Sequence, residues 1–205
     1  MIATPDKRVR DTIRRLSRAN HGVLRTSQAL KAGVHPRDLY ALRDAGFIQP
    51  LARGLYRLSE IPALGNPDLV TVALKVPAGV VCLISALSFH KITTQIPREV
   101  SIALRHHTEK PRLSFPPIQV YWFSDRAISE GVETHTLDHV PVRIFSPEKT
   151  LADCVKYRNK IGLDIVLEAI KMYRQHGRMK IDLLMHFAKV CRVERIMRPY
   201  LEILI

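Results

Sequence analysis

Several things this chain lacks narrow its chemistry. Its 205 residues include three cysteines, Cys82, Cys154 and Cys191, far apart and in apolar surroundings. No CxxC pair and no Cys/His zinc spacing occurs, so reduced, mostly buried thiols in a cytoplasmic setting are expected. The longest apolar run, roughly Val76–Phe89, contains Pro77 and Gly79 and is shorter than the ~20 residues a spanning helix needs. The first eighteen residues are charged from residue 6 onward, which does not fit a signal peptide. The P-loop, GxSxG and HExxH motifs are missing. Glu-x-Lys is missing too, and a restriction-type nuclease needs it to hold Mg²⁺ and activate water. His106 and His107 are adjacent and cannot easily share a metal, and neither His135 nor His139 has Cys or carboxylate ligands at metal spacing. No catalytic residue, metal or cofactor is therefore expected, and Asp138-His139 reads as a turn.

Acidic residues are the other shortage. The 32 Lys+Arg outnumber 19 Asp+Glu, for a net charge of +13 and a pI near 10.1. An excess of this size favours a polyanionic partner, nucleic acid before membrane. The charge is uneven. Residues 1–60 hold 12 basic and 5 acidic side chains (+7), residues 61–149 hold 9 and 8 (+1), and residues 150–205 hold 11 and 6 (+5). The N-terminal region is densest, and two domains, 1–60 and 61–205, are expected.

Within that region the order of signals is specific. Val9, Ile13 and Leu16 line one face of a helix over Pro5–Asn20, with Thr4 as its cap and His21–Gly22 as its end. Val23–Arg25 is a short extended link. Thr26 is placed to cap a second helix, Ser27–Ala32, which Gly33 stops in the left-handed region. His35 takes the N-cap of a third helix opened by Pro36 and running to Ala45. Leu39 and Leu42 face inward, leaving Arg37, Tyr40 and Arg43 outside. Two short apolar strands, Phe47–Leu51 and Leu55–Leu58, flank Ala52-Arg53-Gly54 as a hairpin carrying Arg53 and Arg57. Helix, helix, Gly turn, helix and basic hairpin make a winged helix-turn-helix, a device that sets one helix in the DNA major groove. The expected contacts are Thr26, Ser27 and Gln28 at the second helix, His35, Arg37, Tyr40 and Arg43 on the third, and Arg53 and Arg57 on the wing. Arg can read guanine bidentately, and the wing arginines suit backbone phosphate.

After a linker at Glu60–Asn66, a mixed α/β domain is expected. Its elements are a helix over Asp68–Val76, strands at Val80–Leu83, Val100–Leu104 and Ile118–Phe123, and a hairpin of Thr134–Leu137 with Val140–Phe145. A short helix, Ser85–His90, follows the first strand. Ser146 caps a helix with Pro147 at N1, and helices over Gly162–Arg174, Ile181–Val190 and Glu194–Leu204 form a C-terminal tail. The fold class is α+β.

The run GVLRTSQALKAGVHPRDLYALRDAGFIQPLARGLYRL closely resembles the N-terminal domain of AbiEi-type antitoxins. It shares their A-G-V turn, L-x-x-L helix and G-x-Y wing. Ser85–His90 (SALSFH) and Ser146–Asp153 (SPEKTLAD) resemble later elements of that family and extend the likeness past the wing. His35 departs from it, since that cap is often Ser. The resemblance implies the antitoxin and self-repressor of a type IV toxin–antitoxin, or abortive infection, system. It implies binding to inverted repeats in the chain's own promoter, and a second domain that opposes a nucleotidyltransferase toxin without a tight complex. The alternatives are a solitary winged-helix regulator and a metal-dependent nuclease.

Overall fold

The computed structural model describes residues 6–20, 22–61, 64–177 and 179–204. The chain is α+β and divides into two units, Met1–Thr71 with Thr136–Val140, and Val72–His135 with Pro141–Ile205.

The first unit holds α1 (Lys7–Ala19), β1 (Val23–Arg25), α2 (Thr26–Lys31), α3 (Pro36–Asp44), β2 (Ile48–Ala52) and β3 (Leu55–Leu58). The strands form an antiparallel sheet in the order β1-β3-β2. Ile13, Leu24, Ala29, Val34, Leu39, Leu42, Ile48 and Leu58 are its buried core, with Val9, Leu16 and Phe47 packed against them. The helix starts differ from the sequence reading. Thr4, Pro5 and His21 lie outside the described residues. α1 is capped by Asp6, whose carboxylate accepts from the Arg8 N–H at 3.3 Å. Thr26 is the first residue of α2, not its cap. Gln28 supplies the capping bond, its Oε1 accepting from the Arg25 N–H at 3.2 Å.

The second unit is built on a five-stranded sheet, order β6-β5-β4-β8-β7, from β4 (Val80–Val81), β5 (Val100–Arg105), β6 (Ile118–Phe123), β7 (Val132–Leu137) and β8 (Val140–Phe145). β4 runs antiparallel to β5 and parallel to β8, and β5 runs parallel to β6. β7 and β8 meet through Asp138 and His139, both at positive φ, as a tight two-residue hairpin requires. α4 (Pro67–Lys75) begins in the first unit and ends in the second, whose other helices are α5 (Leu83–Phe89), α6 (Asp125–Ser129), α7 (Pro147–Lys156), α8 (Arg158–Ile161), α9 (Leu163–Gln175), α10 (Ile181–Val190) and α11 (Glu194–Leu204). β4 has two residues where Val80–Leu83 predicts four. Cys82 and Leu83 leave the sheet to begin α5, with Leu83 at φ +45. α6 carries no apolar period long enough to predict it.

α7 is the centre of this unit. Ser146 caps it, its hydroxyl accepting from the Lys149 N–H at 3.2 Å, and Pro147 stands at N1. Every residue from Glu148 to Val155 is buried. Lys149 and Asp153, one helical turn apart, form an ion pair of 2.6 Å with both side chains fully buried. The ammonium lies 4.2 Å from the Phe145 ring centre and 5.1 Å from that of Phe123. The other carboxylate oxygen accepts from the Cys191 thiol at 3.1 Å. Burial outweighs Lys149 and pushes the Asp153 carboxyl up from its usual range; it also pushes the Cys191 thiol up to about 12. Gly131 lets β7 approach closely, because a Cβ there would lie 2.7 Å from the Lys149 Cβ, and its φ is +74.

Lys149→Met removes one partner of a desolvated pair and is expected to cost about 3–5 kcal/mol in urea unfolding followed by circular dichroism. Lys149→Met combined with Asp153→Leu removes both charges and is expected to recover most of that loss. A double variant as unstable as the single one would contradict the assignment of the cost to an unpaired charge.

Candidate nucleic-acid interface

The local sequence fixes α3 firmly. Gly33 stops α2 at φ +83, and the Val34 N–H reaches back to the Ala29 carbonyl at 3.0 Å. His35 then caps α3, its Nδ1 accepting from the Arg37 N–H at 3.2 Å. That bond requires the neutral tautomer with the proton on Nε2. Leu39 and Leu42 are buried, which fixes the helix rotation and leaves Arg37, Tyr40 and Arg43 exposed. Tyr40 is 51% exposed, and the Arg43 guanidinium sits 5.1 Å over its ring. Arg43 also pairs with Asp44 at 2.7 Å. An Arg that meets phosphate or a base from this position first gives up that carboxylate.

The hairpin tip is joined to the start of α2. The Thr26 N–H donates to the Gly54 carbonyl at 3.0 Å. Gly54 adopts φ +71, and a Cβ there would stand 3.5 Å from the Thr26 hydroxyl. This contact brings the exposed Ser27 and the exposed tip residue Arg53 to one place. Thr26, Ser27 and Arg53 thus share one end of the unit, while Arg37, Tyr40 and Arg43 share one helix face.

Two expected contacts have other tasks. Gln28 is spent inside the unit: besides its bond from Arg25, its Nε2 donates to the Asn20 side chain at 2.9 Å, and Asn20 in turn donates to the Leu16 carbonyl at 2.7 Å. It therefore clasps the end of α1 to the start of α2. Arg57 lies on β3, the central strand, opposite Val23 and Gln49. It is half-buried, and its guanidinium donates to the Ile61 carbonyl. The structure thus places Arg57 at mid-strand and away from the hairpin tip, with its Nε buried and without a partner. Sequence reasoning also passed over Arg14 of α1, which grips the Glu60 carboxylate through Nε and Nη2 at 3.1–3.3 Å and lies 5.1 Å over the Phe47 ring. The N3 position of Gln28 was an available signal for its capping role; no local pattern marks Arg57 or Arg14.

Among the described residues no group of His, Cys, Asp and Glu is arranged to hold a metal ion. No described helix is long and apolar enough to cross a membrane.

Gln28→Ala is expected to cost about 1–2 kcal/mol in thermal or urea unfolding, since two side-chain hydrogen bonds are lost. Ser27→Ala, at an exposed site, is expected to stay within about 0.5 kcal/mol. Equal stability of the two variants would show that Gln28 is not a clasp.

Comparison with known proteins bears on the same stretch. No curated protein sequence matches the chain. Among solved structures, the crystal structure of the RV2827C protein from Mycobacterium tuberculosis matches over 97% of this chain and 82% of that chain, with a TM-score of 0.54 at 14% identity. That likeness concerns the fold. Residues 11–59 match a family described as "Transcriptional regulator, AbiEi antitoxin". Over the stretch that carries the helix-turn-helix and its wing, then, the chain is AbiEi-like and is similar to a family of antitoxin transcriptional regulators.

Proposed function

We propose that this chain is a DNA-binding antitoxin that represses its own operon. α3 enters the major groove of inverted repeats in its promoter, with His35, Arg37, Tyr40 and Arg43 toward the bases. Thr26, Ser27 and Arg53 meet the phosphate backbone beside it. The second unit counteracts a nucleotidyltransferase toxin, with no stable complex between the two. The observation that carries this reading is the exposed Arg37–Tyr40–Arg43 row on a helix whose rotation Leu39 and Leu42 fix, in the same unit as an exposed arginine at a docked hairpin tip. The match of residues 11–59 to antitoxin regulators and the net charge of +7 over residues 1–60 support it.

Fluorescence anisotropy with DNA from upstream of the chain's own gene tests the placement. Arg37→Ala is expected to cost about 1–3 kcal/mol on the operator and to reduce discrimination against unrelated DNA. Arg53→Ala is expected to weaken all sequences alike and to lower the slope of log affinity against log salt by about one. Wild-type affinity, specificity and salt dependence in both variants would place the DNA on another face.

A further inference from the structure

Among the described residues the two sheets end on four edge strands, β1 and β2 in the first unit and β6 and β7 in the second. An edge strand offers a row of unpaired N–H and C=O groups, and proteins blunt such rows with short strands, charge, proline or bulges. Three of these edges are blunted. β1 has three residues and ends on Arg25. β2 carries Pro50, and its register shifts between Pro50 and Ala52. β7 carries Glu133, whose carboxylate meets His135 at 3.0 Å. β6 has none of these devices. Its six residues, Ile118–Phe123, include no charge, proline or glycine, and they pair with β5 in unbroken register from Val100–Ile118 to Arg105–Phe123. Among the described residues no hydrogen bond joins 109–116, most of the connection between the two strands, to β6. Trp122 stands on this strand 39% exposed, its indole N–H donating to the Thr108 carbonyl at 2.9 Å. A straight run of β-branched and aromatic residues with an open outer side is a template for another strand.

Charge selects which strand. The chain carries +13, so two copies repel unless they meet on a neutral surface. β6 is such a surface, and the charges nearest its ends cancel. The exposed Arg98 and Glu99 stand just before β5, where β6 also starts; Arg105 and Asp125, an ion pair of 3.5 Å, stand where β6 ends. Antiparallel pairing of two β6 strands sets the start of one against the end of the other, so two cations and two anions meet at each end. We propose that β6 is the interface for a second copy of this chain, the two β6 strands pairing antiparallel about a two-fold axis and joining two five-stranded sheets into one of ten. Ile118, Val120 and Trp122 share one face of the strand. With the axis normal to the sheet, residues of like face lie opposite each other, so Trp122 meets Ile118 or Val120 of the second copy. The inference stands on the sheet edge and not on the reading of α3, and it is tested without DNA.

Trp122 is the chain's single tryptophan, so its emission reports on this strand alone. Sedimentation of the full chain is expected to show a dimer with Kd at or below about 100 µM. On dilution the Trp122 emission is expected to move to longer wavelength with the same midpoint. Gln119→Lys, at an exposed position of β6, is expected to raise Kd at least about tenfold, with circular dichroism reporting that the fold is kept. Thr134→Lys, at an exposed position of β7 on the opposite edge of the sheet, is expected to dimerise as the wild type does. A dimer whose Trp122 emission ignores dilution, or which Gln119→Lys leaves intact, uses another face and overturns the proposal. A chain that stays monomeric overturns it too. Slow hydrogen exchange of the β6 amides in that monomer would show the edge covered by the chain's own connection; fast exchange would show it open to an extended segment of another protein.

Discussion

In the N-terminal unit one backbone contact, the Thr26 N–H to the Gly54 carbonyl at 3.0 Å, joins the hairpin tip to the helices, alongside the pairing of β1 with β3 and the shared core. Its parts are small: α2 has six residues, α3 has nine, and the wing is a short hairpin. None of these is stable alone, because helix nucleation is costly and a lone hairpin is marginal in water. Joining the hairpin tip to the start of α2 closes the unit around Ala29, Leu39, Leu42 and Ile48. The Gln28–Asn20 bond ties in α1, and Arg14 with Glu60 holds the segment after the wing. The exposed Arg37, Tyr40 and Arg43 are thereby mounted on a helix held from several sides, and the proposed base reading would need that, since a bidentate contact tolerates little misplacement.

In the second unit the equivalent constraint is the Lys149–Asp153 pair inside α7. An ion pair with no exposure does not make the unit more stable than an apolar pair of the same shape would. Lys149 must find both a carboxylate and two aromatic faces, and Asp153 must find the Cys191 thiol on another helix. These contacts tie α7 to Phe123 of β6, Phe145 of β8 and the C-cap residue of α10.

Much of the first unit was legible because its punctuation is local. Gly33, Pro36 and the inward Leu39 and Leu42 dictate α3 through backbone conformation and period, and His35 was readable as its cap from position alone. Arg57 was not legible, because whether a strand arginine faces solvent depends on which strand becomes central. Val23–Arg25 joins the far side of β3, and that is a long-range fact. The clasp that Gln28 makes was hidden for a related reason: its Asn20 partner lies eight residues back, across the end of α1. Charge at i, i+4 usually marks a solvated helix face, so Lys149 and Asp153 gave no sign that both would be buried. The SPEKTLAD run was visible as a capped helix start, but its place at the centre of the core became apparent only from the packing of five helices around it.

In the proposed function α3 meets bases in the major groove while the wing touches backbone. Dimethyl sulfate footprinting on DNA from the chain's own promoter tests it most directly, since guanine N7 is reached only through the major groove and adenine N3 through the minor. Protection of guanine N7 is expected in two symmetric half-sites, lost from the base-reading positions with Arg37→Ala and retained with Arg53→Ala. Protection confined to adenine N3, or N7 protection indifferent to Arg37, would contradict it.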